Sequence, residues 1–360
     1  MTEEPEHARL KPDYRLLAQS IKRWGMELGF QQLGIADTDL AADEAHLLQW
    51  LKAGRHGEMD YMRRHGTRRS RPGDLLPGTI RVITARMNYW PENAQETGSV
   101  LHDPALAYLS RYALGRDYHK VLRKRLQQLA DRIEAQTGPF GYRVFSDSAP
   151  VLEKALAQKA GLGWIGKHTN LINEQAGSWF FLGELYTSLP LPVDTQAVNH
   201  CGSCQSCIDA CPTGAIVAPY ELDARLCISY LTIELRGSIP EQLRPLIGNR
   251  VYGCDDCQLV CPWNRFSSPT GEADFQPRHG LDASSLVRLF RWEQADFERY
   301  TQGSAIHRIG HECWLRNIAV GLGNAAGTDA VIAALQTRRE HPSALVREHV
   351  DWALQQHLQK

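Results

Sequence analysis

The sequence of 360 residues lacks both a long hydrophobic run and an excess of charge of either sign. No segment approaches the roughly 20 apolar residues that a transmembrane helix needs, so we expect no membrane-spanning helix. The chain starts with Met1, Thr2, Glu3 and Glu4, and no apolar signal segment follows. This start predicts a cytoplasmic protein with reduced thiols. Lysine and arginine total 40 against 41 acidic residues, a net charge of -1, so any nucleic-acid binding has to come from a local basic patch.

Cysteine is concentrated in one short region. Apart from Cys313, every cysteine lies between residues 201 and 261. The first four follow the spacing C-x2-C-x2-C-x3-C-P of bacterial ferredoxins, in which three thiolates hold one 4Fe-4S cluster and the fourth crosses to a neighbouring cluster. The last four repeat this run with their first member displaced upstream, to Cys227. The spacing therefore predicts two 4Fe-4S clusters.

The crossover rule also predicts which thiolates share a cluster. Cluster 1 takes Cys201, Cys204, Cys207 and Cys261, and cluster 2 takes Cys211, Cys227, Cys254 and Cys257. Zinc is the main alternative, but a zinc site needs four ligands and gives no reason for a proline after each fourth cysteine, at Pro212 and Pro262. Cys313 lies in a helical stretch outside the pattern, and we expect it to be a small buried hydrophobic residue.

The length favours two or three domains, and composition suggests the regions 1–195, 196–270 and 275–360. Helical and strand patterns alternate in the first region, which favours an α/β domain whose sheet is covered by helices. The predicted helices are Tyr14–Leu28, Tyr118–Ala135 and Pro150–Ala160, and the predicted strands are Phe30–Ile35, Ile80–Tyr89, Tyr142–Phe145, Trp164–Ile172 and Trp179–Tyr186.

A linker that contains Pro190 and Pro192 precedes the two other regions. Region 196–270 holds the clustered cysteines and few apolar residues, so we expect a ferredoxin-like domain whose core is largely the clusters. Region 275–360 is expected to be helical, and its segments 314–323, 329–335 and 344–354 suggest a repeat of the HEAT type. Because a lone repeat cannot bury its own apolar face, it should dock on the other domains.

One glycine run matches a nucleotide-binding motif only in its spacing. Gly161, Gly163 and Gly166 spell G-x-G-x-x-G, but the run follows a predicted helix, whereas a dinucleotide fingerprint follows a strand and opens a helix. We expect these glycines to form a turn that brings the backbone close to a ligand or to the next strand.

Five segments of the sequence resemble the epoxyqueuosine reductase family. They are SRYALGRDYH at Ser110–His119, VFSDSAPVLE at Val144–Glu153, AGLGWIGK at Ala160–Lys167, YGCDDCQ at Tyr252–Gln258 and IHRIG at Ile306–Gly310. The resemblance covers nearly the whole chain. It implies an α/β cobalamin-binding domain of nitroreductase-like fold, a ferredoxin-like domain with two 4Fe-4S clusters and a helical HEAT-like domain.

The resemblance also implies a reaction, the reduction of epoxyqueuosine to queuosine at the wobble position of a tRNA, as the last step of queuosine biosynthesis. Removal of an epoxide oxygen as water takes two electrons and two protons. The clusters deliver single electrons, and the cobalt of cobalamin can hold a low-valent nucleophilic state that turns this supply into one two-electron event. The implied partners are the anticodon arm of the tRNA and an electron donor such as flavodoxin or ferredoxin, and the implied state is a monomer.

Two aspartates receive roles from the resemblance. Asp147 matches the family's proton donor, and for that role we expect burial beside the corrin to raise its pKa. From the residues alone, an aspartate shortly before Pro150 favours a helix cap. Asp117 begins a triplet, Asp117-Tyr118-His119, that opens the cobalamin motif D-x-H-x-x-G, but the glycine is missing. The resemblance implies base-off cobalamin without a histidine ligand, and we expect Asp117 to be a polar active-site residue, the alternative being a carboxylate at a helix N-terminus.

Position within the matching motifs implies the remaining contacts to the cofactor. The full set is Ser110, Asp117, Asp147, Lys167, Thr169, Asn170, Ser178, Leu182, Ser229 and Asp255. Ser229 follows the cluster ligand Cys227 and Asp255 adjoins Cys254, so both are expected where the cluster approaches the corrin. The alternative for each hydroxyl or amide is a hydrogen bond to the backbone.

A local group of arginines indicates contact with tRNA. The segment after Asp60 contains Arg63, Arg64, Arg68, Arg69 and Arg71 and no acidic residue. We expect Arg68, Arg69 and Arg236 to contact phosphates, the alternative for any one arginine being a solvated surface position. Further arginines expected on the tRNA side are Arg244, Arg250, Arg308, Arg316 and Arg347.

Two other classes of function remain open at this stage. Corrinoid reductive dehalogenases also combine cobalamin with two 4Fe-4S clusters, but they are expected to carry an export signal. A ferredoxin-type electron carrier would bind iron and sulfide, but no cobalt.

Overall fold

The structure is a computed structural model, and it describes residues 12–359. The α-helices, α1 to α15 in chain order, are Tyr14–Glu27, Ala41–Lys52, Tyr61–Arg64, Pro72–Leu75, Thr97–His102, Tyr118–Thr137, Glu153–Lys159, Ser206–Asp209, Arg244–Ile247, Asp256–Leu259, Leu286–Phe290, Gln294–Thr301, Gly310–Asn324, Asp329–Gln336 and Ala344–Leu358. The strands, β1 to β10, are Gln32–Ala36, Arg81–Asn88, Tyr108–Leu109, Tyr142–Phe145, Trp164–Ile165, Leu171–Ile172, Phe180–Thr187, Ile216–Ala218, Glu221–Leu222 and Arg250–Tyr252.

Short 3-10 and π turns complete the fold. The 3-10 segments are Gly66–Arg69, Arg111–Ala113, Ala224–Leu226, Glu241–Leu243, Pro262–Phe266, Ala273–Phe275 and Ala305–Ile309, and the π turn is Tyr230–Glu234. Within residues 12–359, no helix has the length and apolar character needed to cross a membrane.

The first region is built on a four-stranded antiparallel sheet of order β1-β2-β7-β4. The two central strands alternate between two buried faces, as the period of a strand requires. Ile83 and Leu185 face α1 and α6, whose apolar residues include Ile21 and Leu126. On the opposite face, Tyr186 packs with the short helix α7. The expected sheet covered by helices is therefore present in this region.

The segment 150–172 differs from its prediction. Helix α7 starts at Glu153, three residues later than expected from Pro150. The single strand expected over 164–172 is instead the hairpin β5-β6, which reverses at a turn where Thr169 has a φ of 65°. Gly163 supports this hairpin, because a Cβ atom there would lie 2.2 Å from the carbonyl oxygen of Ile172. The glycine run thus allows close approach to the next strand, as predicted.

The segment 97–113 leaves the sheet region and joins the cluster region. Strand β3 pairs in parallel with β10, which follows it by about 140 residues of chain and directly precedes the cysteines from 254 onward. The Asn249 side chain donates hydrogen bonds to the carbonyl oxygens of Val100, Asp103 and Leu106, at 2.8 to 3.1 Å. This pairing had no counterpart in the sequence prediction, because strands of two or three residues carry almost no periodic signal.

The C-terminal helices pack on the cluster region. Helix α13 is buried along most of its length and shares one core with Leu231, Ile239 and Val251. The Arg316 side chain is fully buried and donates to the carbonyl oxygens of Leu231, Leu235 and Gly237. The expectation that these helices dock on the rest of the protein is confirmed. Cys313 is buried in the same core, 4% exposed, as predicted.

Candidate cluster sites and active-site cleft

The four cysteines predicted for cluster 1 surround one cavity. They are Cys201, Cys204, Cys207 and Cys261. Burial, together with the neighbouring thiols of Cys261 and Cys201, raises the pKa of Cys207 to about 11. Lys167 lies in the wall of this cavity, and its Nζ donates to the carbonyl oxygens of Gly202 and Cys204 at 2.8 Å. Lys167 therefore braces the cluster 1 loop and does not line the cofactor cleft, contrary to prediction.

Three of the four cysteines predicted for cluster 2, Cys211, Cys227 and Cys257, lie close enough to act on one another's pKa. Burial raises the pKa of Cys257 well above its ordinary value, and the next contributions come from Cys227, Asp255 and Cys211. Cys207, of the first group, also acts on the pKa of Cys257, so the two groups of thiols are adjacent. Cys254 lies in the wall of the neighbouring cleft. The arrangement suits electron transfer from cluster 1 through cluster 2 into that cleft.

This cleft has a volume of about 330 Å³ and is open to solvent. It lies between the end of the sheet, the first turn of α6, helix α7 and the loops around Ser229 and Cys254. Seven residues predicted to contact the cofactor line it: Ser110, Asp147, Asn170, Ser178, Leu182, Ser229 and Asp255. Asp117, Lys167 and Thr169 are not among the lining residues. The carbonyl oxygen of Thr169 accepts a hydrogen bond from Nζ of Lys154, which does line the cleft.

Asp147 lies at the centre of a hydrogen-bonded group. Its Oδ2 accepts from the Tyr118 hydroxyl at 2.6 Å and faces Nε2 of His119 at 3.0 Å. Nδ1 of the same imidazole faces Oδ1 of Asp117 at 2.5 Å. The imidazole is thus held between two carboxylates, of which Asp147 is about half exposed toward the cleft.

The electrostatics of this group correct the prediction for Asp147. Burial does raise the pKa of Asp147, but the hydrogen bonds from His119 and Tyr118 outweigh burial and hold the pKa below its ordinary value. Burial lowers the pKa of His119, yet the hydrogen bonds to Asp117 and Asp147 leave that pKa raised. The group therefore stores its proton on the imidazole and keeps Asp147 ionised. The predicted raised pKa of Asp147 is wrong because a carboxylate that accepts two strong hydrogen bonds is stabilised in its charged form.

Asp117 contacts the His119 imidazole at Nδ1, the ring nitrogen that does not face Asp147. Its side chain caps α6 by accepting from the His119 backbone N–H at 3.1 Å, as in the alternative of a carboxylate at a helix N-terminus. The same oxygen orients the His119 ring. Tyr118 and His119 were not predicted as functional residues, although the triplet Asp117-Tyr118-His119 was singled out as a motif.

Two glutamates close to Asp147 were also missed. Oε1 of the half-buried Glu153 accepts a hydrogen bond from the Asp147 backbone N–H. Glu184, on β7, is fully buried, and neither of its carboxyl oxygens has a hydrogen-bond partner among the described residues. Burial raises the pKa of both carboxyls, that of Glu153 to about 8. A glutamate inside an apolar strand pattern was the signal that could have revealed Glu184.

Several predicted cofactor contacts are occupied by protein partners. The buried Asp255 carboxylate accepts from the Tyr108 hydroxyl at 2.7 Å, the Ser110 hydroxyl at 2.5 Å and the Arg111 backbone N–H at 2.8 Å. This network ties the segment of β3 to the cluster 2 loop. Ser178 is held by Gln258 and Asn264 in the same way. Asp255 and Ser110 therefore build the cleft wall together.

The arginines fall into two groups. Arg63, Arg64 and Arg68 are exposed. Arg69 is buried and donates to the carbonyl oxygen of Tyr61 at 3.1 Å. Its guanidinium interacts electrostatically with Asp147 and Glu153, so it belongs to the cleft side and not to a phosphate-binding surface. Others are engaged in the structure: Arg236 with the carbonyl oxygens of Arg308 and Ile309, Arg244 with Glu348, Arg250 with Asp256, and Arg316 as described above.

The cleft fits a flat macrocycle with polar substituents. Its inner wall is aromatic, with the rings of Tyr118 and Phe181 stacked 4.0 Å apart and Tyr112 beside them. Polar side chains, Asn170 and Ser229 among them, are also part of the lining. An apolar surface with a few polar groups suits a corrin ring and its peripheral amides. Cys254 places the cluster 2 loop in the same cleft.

Two ferredoxin-type cysteine groups joined to a cleft with a proton-holding group define an iron–sulfur oxidoreductase. Comparison with known families agrees: residues 200–264 match the 4Fe-4S double cluster binding domain, and residues 69–148 match the family described as epoxyqueuosine reductase QueG, DUF1730. The chain is 62% identical to the epoxyqueuosine reductase of Pseudomonas aeruginosa over 99% of both chains. It is 58% identical to that of Escherichia coli over 97% of this chain and 91% of the relative. The chain belongs to the epoxyqueuosine reductase family.

Solved structures support the same assignment. An epoxyqueuosine reductase in complex with an epoxyqueuosine-modified tRNA-Tyr stem loop matches with a TM-score of 0.86 at 26% identity, over 95% of this chain and 90% of that one. The enzyme of Bacillus subtilis, solved with its catalytic loop swung out of the active site, matches with a TM-score of 0.85 at 26% identity, over the same shares. A bare electron carrier would have no use for the cleft described above.

Proposed function

We propose that this protein reduces epoxyqueuosine to queuosine in tRNA. The observation that carries the proposal is that Asp147 and Cys254 line one cleft, so that a proton-holding group and a cluster ligand face the same space. The overall change is balanced by two electrons and two protons, and it converts the epoxide into an alkene and water. The electrons enter through the clusters.

We propose cobalamin as the second cofactor, held by the cleft residues Ser110, Asn170, Ser178, Leu182 and Ser229. When bound, it supplies a low-valent cobalt nucleophile that gathers single electrons for the two-electron reduction. We propose the predicted ligand sets for the two clusters, and the cavity lined by Cys201, Cys204, Cys207 and Cys261 supports the set for cluster 1.

Asp147 passes a proton to the departing epoxide oxygen in this proposal. The proton rests on His119, at Nε2, 3.0 Å from Oδ2 of Asp147. As negative charge develops on the oxygen, the proton moves through Asp147, and His119 becomes neutral. Asp117 holds the imidazole in the orientation that directs Nε2 at Asp147. Asp147 thus acts as the predicted proton donor, and it receives the proton from the His119 imidazole.

The finer features of the assignment are proposals of the same kind. We propose the nitroreductase-like and HEAT-like folds and the domain limits 1–195, 196–270 and 275–360, which rest on the antiparallel sheet and on the paired helices α13 to α15. A tRNA substrate places the enzyme in the cytoplasm. We propose flavodoxin or ferredoxin as the electron donor, because the clusters accept one electron at a time. We propose that the protein acts as a monomer, in which the exposed Arg63, Arg64 and Arg68 are free to contact the tRNA.

Activity on modified tRNA tests the function. The protein with reconstituted clusters, cobalamin and a chemical reductant is incubated anaerobically with a stem loop that carries epoxyqueuosine. Nucleoside mass spectrometry should show a product lighter by one oxygen. A stem loop with unmodified guanine at the wobble position should remain unchanged. Unreduced epoxyqueuosine, with full cluster and cobalt content, would contradict the proposal.

A further inference from the structure

His168 has a ring nitrogen without a partner beside the cavity of cluster 1. The side chain is 3% exposed and lies in the wall of the cavity that Cys201, Cys204, Cys207 and Cys261 surround. Its Nε2 is buried and meets no hydrogen-bonding group among residues 12–359. Native proteins rarely leave a buried polar atom unsatisfied, because its lost hydration is not repaid. The nitrogen therefore marks a place where a group other than the polypeptide completes the structure.

The other ring nitrogen fixes where the imidazole carries its proton. Nδ1 of His168 accepts the backbone N–H of Asn170 at 3.1 Å. A ring nitrogen that accepts a hydrogen bond carries no proton, so the single proton of the ring is on Nε2. The unpartnered nitrogen is thus an N–H donor, and the group that completes it must be a hydrogen-bond acceptor.

The turn of the hairpin β5-β6 holds the ring in this position. Thr169, the residue after His168, has a φ of 65°, and its backbone N–H donates to the carbonyl oxygen of Gly166 at 2.8 Å. Gly166 also leaves room for the ring, since a Cβ atom there would lie 3.2 Å from Cε1 of His168 and 2.4 Å from Cδ1 of Ile172. The imidazole is therefore a fixed donor in the cavity wall.

Sulfur is the acceptor that the side chains of this cavity offer. Apart from His168 and the four cysteines, the cavity is lined by Lys167, Ile172, Pro262 and Trp263. None of these four side chains carries a hydrogen-bond acceptor, and Nζ of Lys167 is itself a donor. The acceptors that remain are the thiolates and the inorganic sulfides of the cluster that they hold.

We propose that His168 donates an Nε2–H···S hydrogen bond to cluster 1 and so raises the reduction potential of that cluster. The reduced cluster carries one more negative charge than the oxidised cluster, and a hydrogen bond to an acceptor of greater charge is stronger. The hydrogen bond therefore stabilises the reduced state more, and cluster 1 accepts an electron more readily. Hydrogen bonds to cluster sulfur are among the factors that set such potentials. The inference rests on the ligand set proposed above for cluster 1.

Two substitutions separate the two nitrogens of His168. In His168→Asn, the amide oxygen takes the place of Nδ1 and accepts the Asn170 N–H, but the side chain is too short to donate to the cluster. In His168→Gln, the amide NH2 takes the place of Nε2 and still donates.

Loss of the donor should make cluster 1 harder to reduce. In His168→Asn, the ratio of reduced to oxidised cluster 1 at a fixed potential should fall about tenfold, which is a shift of about 59 mV to lower potential for a one-electron couple. His168→Gln should keep this ratio within about threefold of the parent value. His357→Asn is the matched control, because this histidine on α15 also has one unpartnered ring nitrogen and contacts the Leu322 carbonyl oxygen with the other. It should leave both clusters unchanged.

Redox titration of the anaerobically reconstituted protein measures the shift without any turnover. The protein is poised with dithionite and mediator dyes, and electron paramagnetic resonance follows the reduction of each cluster. In His168→Asn only one of the two one-electron steps should move, and it should be the step that Cys261→Ala removes. Iron content and far-UV circular dichroism confirm that each variant is folded and loaded.

Histidine labelled with nitrogen-15 in the ring gives a second readout, which needs no variant. Electron spin echo modulation of the reduced parent protein should show a ring nitrogen coupled to cluster 1, and His168→Asn should lose this coupling. A parent protein without such coupling would overturn the inference even if His168→Asn does not fold.

The outcomes also separate this inference from the proposal on which it rests. With full iron content, an unchanged potential in His168→Asn, or equal shifts in His168→Asn and His168→Gln, would overturn the role of His168 alone. If Cys261→Ala removed neither reduction step, the ligand set of cluster 1 would be wrong, and the inference would fail with it.

Discussion

At the scale of single residues, the site is governed by how carboxyl groups are partnered. Asp147, Asp117, Glu153, Glu184 and Asp255 all lie in or beside the cleft, yet burial does not act on them alike. Asp147 has two donors that hold its pKa below the ordinary value, whereas the buried Glu184 carboxyl has no hydrogen-bond donor among the described residues and burial raises its pKa. Tyr118, the more distant of the two donors, lies 29 residues from Asp147 in the sequence, so no local pattern could assign the charges.

The substitution Asp147→Asn should abolish most of the activity. The amide oxygen can still accept from Tyr118, but the group can no longer pass on a proton, so we expect kcat to fall at least about 100-fold. Iron content, cobalamin binding and tRNA affinity should stay within error of the parent. Single-turnover kinetics with pre-reduced enzyme measures the chemical step directly. A variant with near-normal kcat would leave Asp147 with no more than a structural role.

At the scale of elements, prediction succeeded where a segment carries its own signal. The long amphipathic helix α6 and the continuous apolar strands β2 and β7 lie within two residues of their predicted limits. The cysteine spacing likewise predicted the group of Cys201, Cys204, Cys207 and Cys261, which line one cavity. The hairpin β5-β6 and the β3-β10 pair were not found, because their stability comes from packing and from distant partners and not from their own few residues.

The crossed ligand sets predict how the clusters respond to loss of one cysteine. Cys261→Ala removes a thiolate from the cavity that also contains Cys201, so cluster 1 should be lost while cluster 2 remains. Iron content should fall from about eight to about four per chain. Electron paramagnetic resonance of the reduced protein should lose the coupling between the two clusters. The matched variant Cys313→Ala, which changes a buried thiol outside both groups, should keep full iron.

Loss of the other cluster in Cys261→Ala would show that each cysteine run binds its own cluster without crossing. Unfolding is detected separately by circular dichroism.

At the scale of the whole molecule, the basic surface and the cleft are brought together by α3 and the 3-10 segment after it. Arg68 is exposed and Arg69, its neighbour, is buried toward the cleft. This short segment thus places the guanidinium of Arg68 in solvent and that of Arg69 on the cleft side. This arrangement suits a substrate whose phosphates remain outside while one base enters the cleft.

The substitution Arg68→Ala should weaken tRNA binding in a salt-dependent way. Loss of one phosphate contact should reduce the slope of log K against log salt by about 1. Fluorescence anisotropy with a labelled stem loop between low and moderate salt measures both quantities. Arg132→Ala, whose guanidinium pairs with Glu27 on another face, is the control and should leave the slope unchanged. An unaltered slope in Arg68→Ala would remove this residue from the interface.

The pairing of β3 with β10 has a consequence for how the protein can be divided. The linker between residues 190 and 200 looks like the natural border between a cofactor-binding part and an iron–sulfur part. A cut there would leave Tyr108 and Ser110 on one fragment and Asp255, their hydrogen-bond acceptor, on the other. Neither fragment would contain a finished wall of the cleft. The iron–sulfur part is therefore not a detachable module that could be exchanged between enzymes, and its sequence can change only in step with residues 97–113.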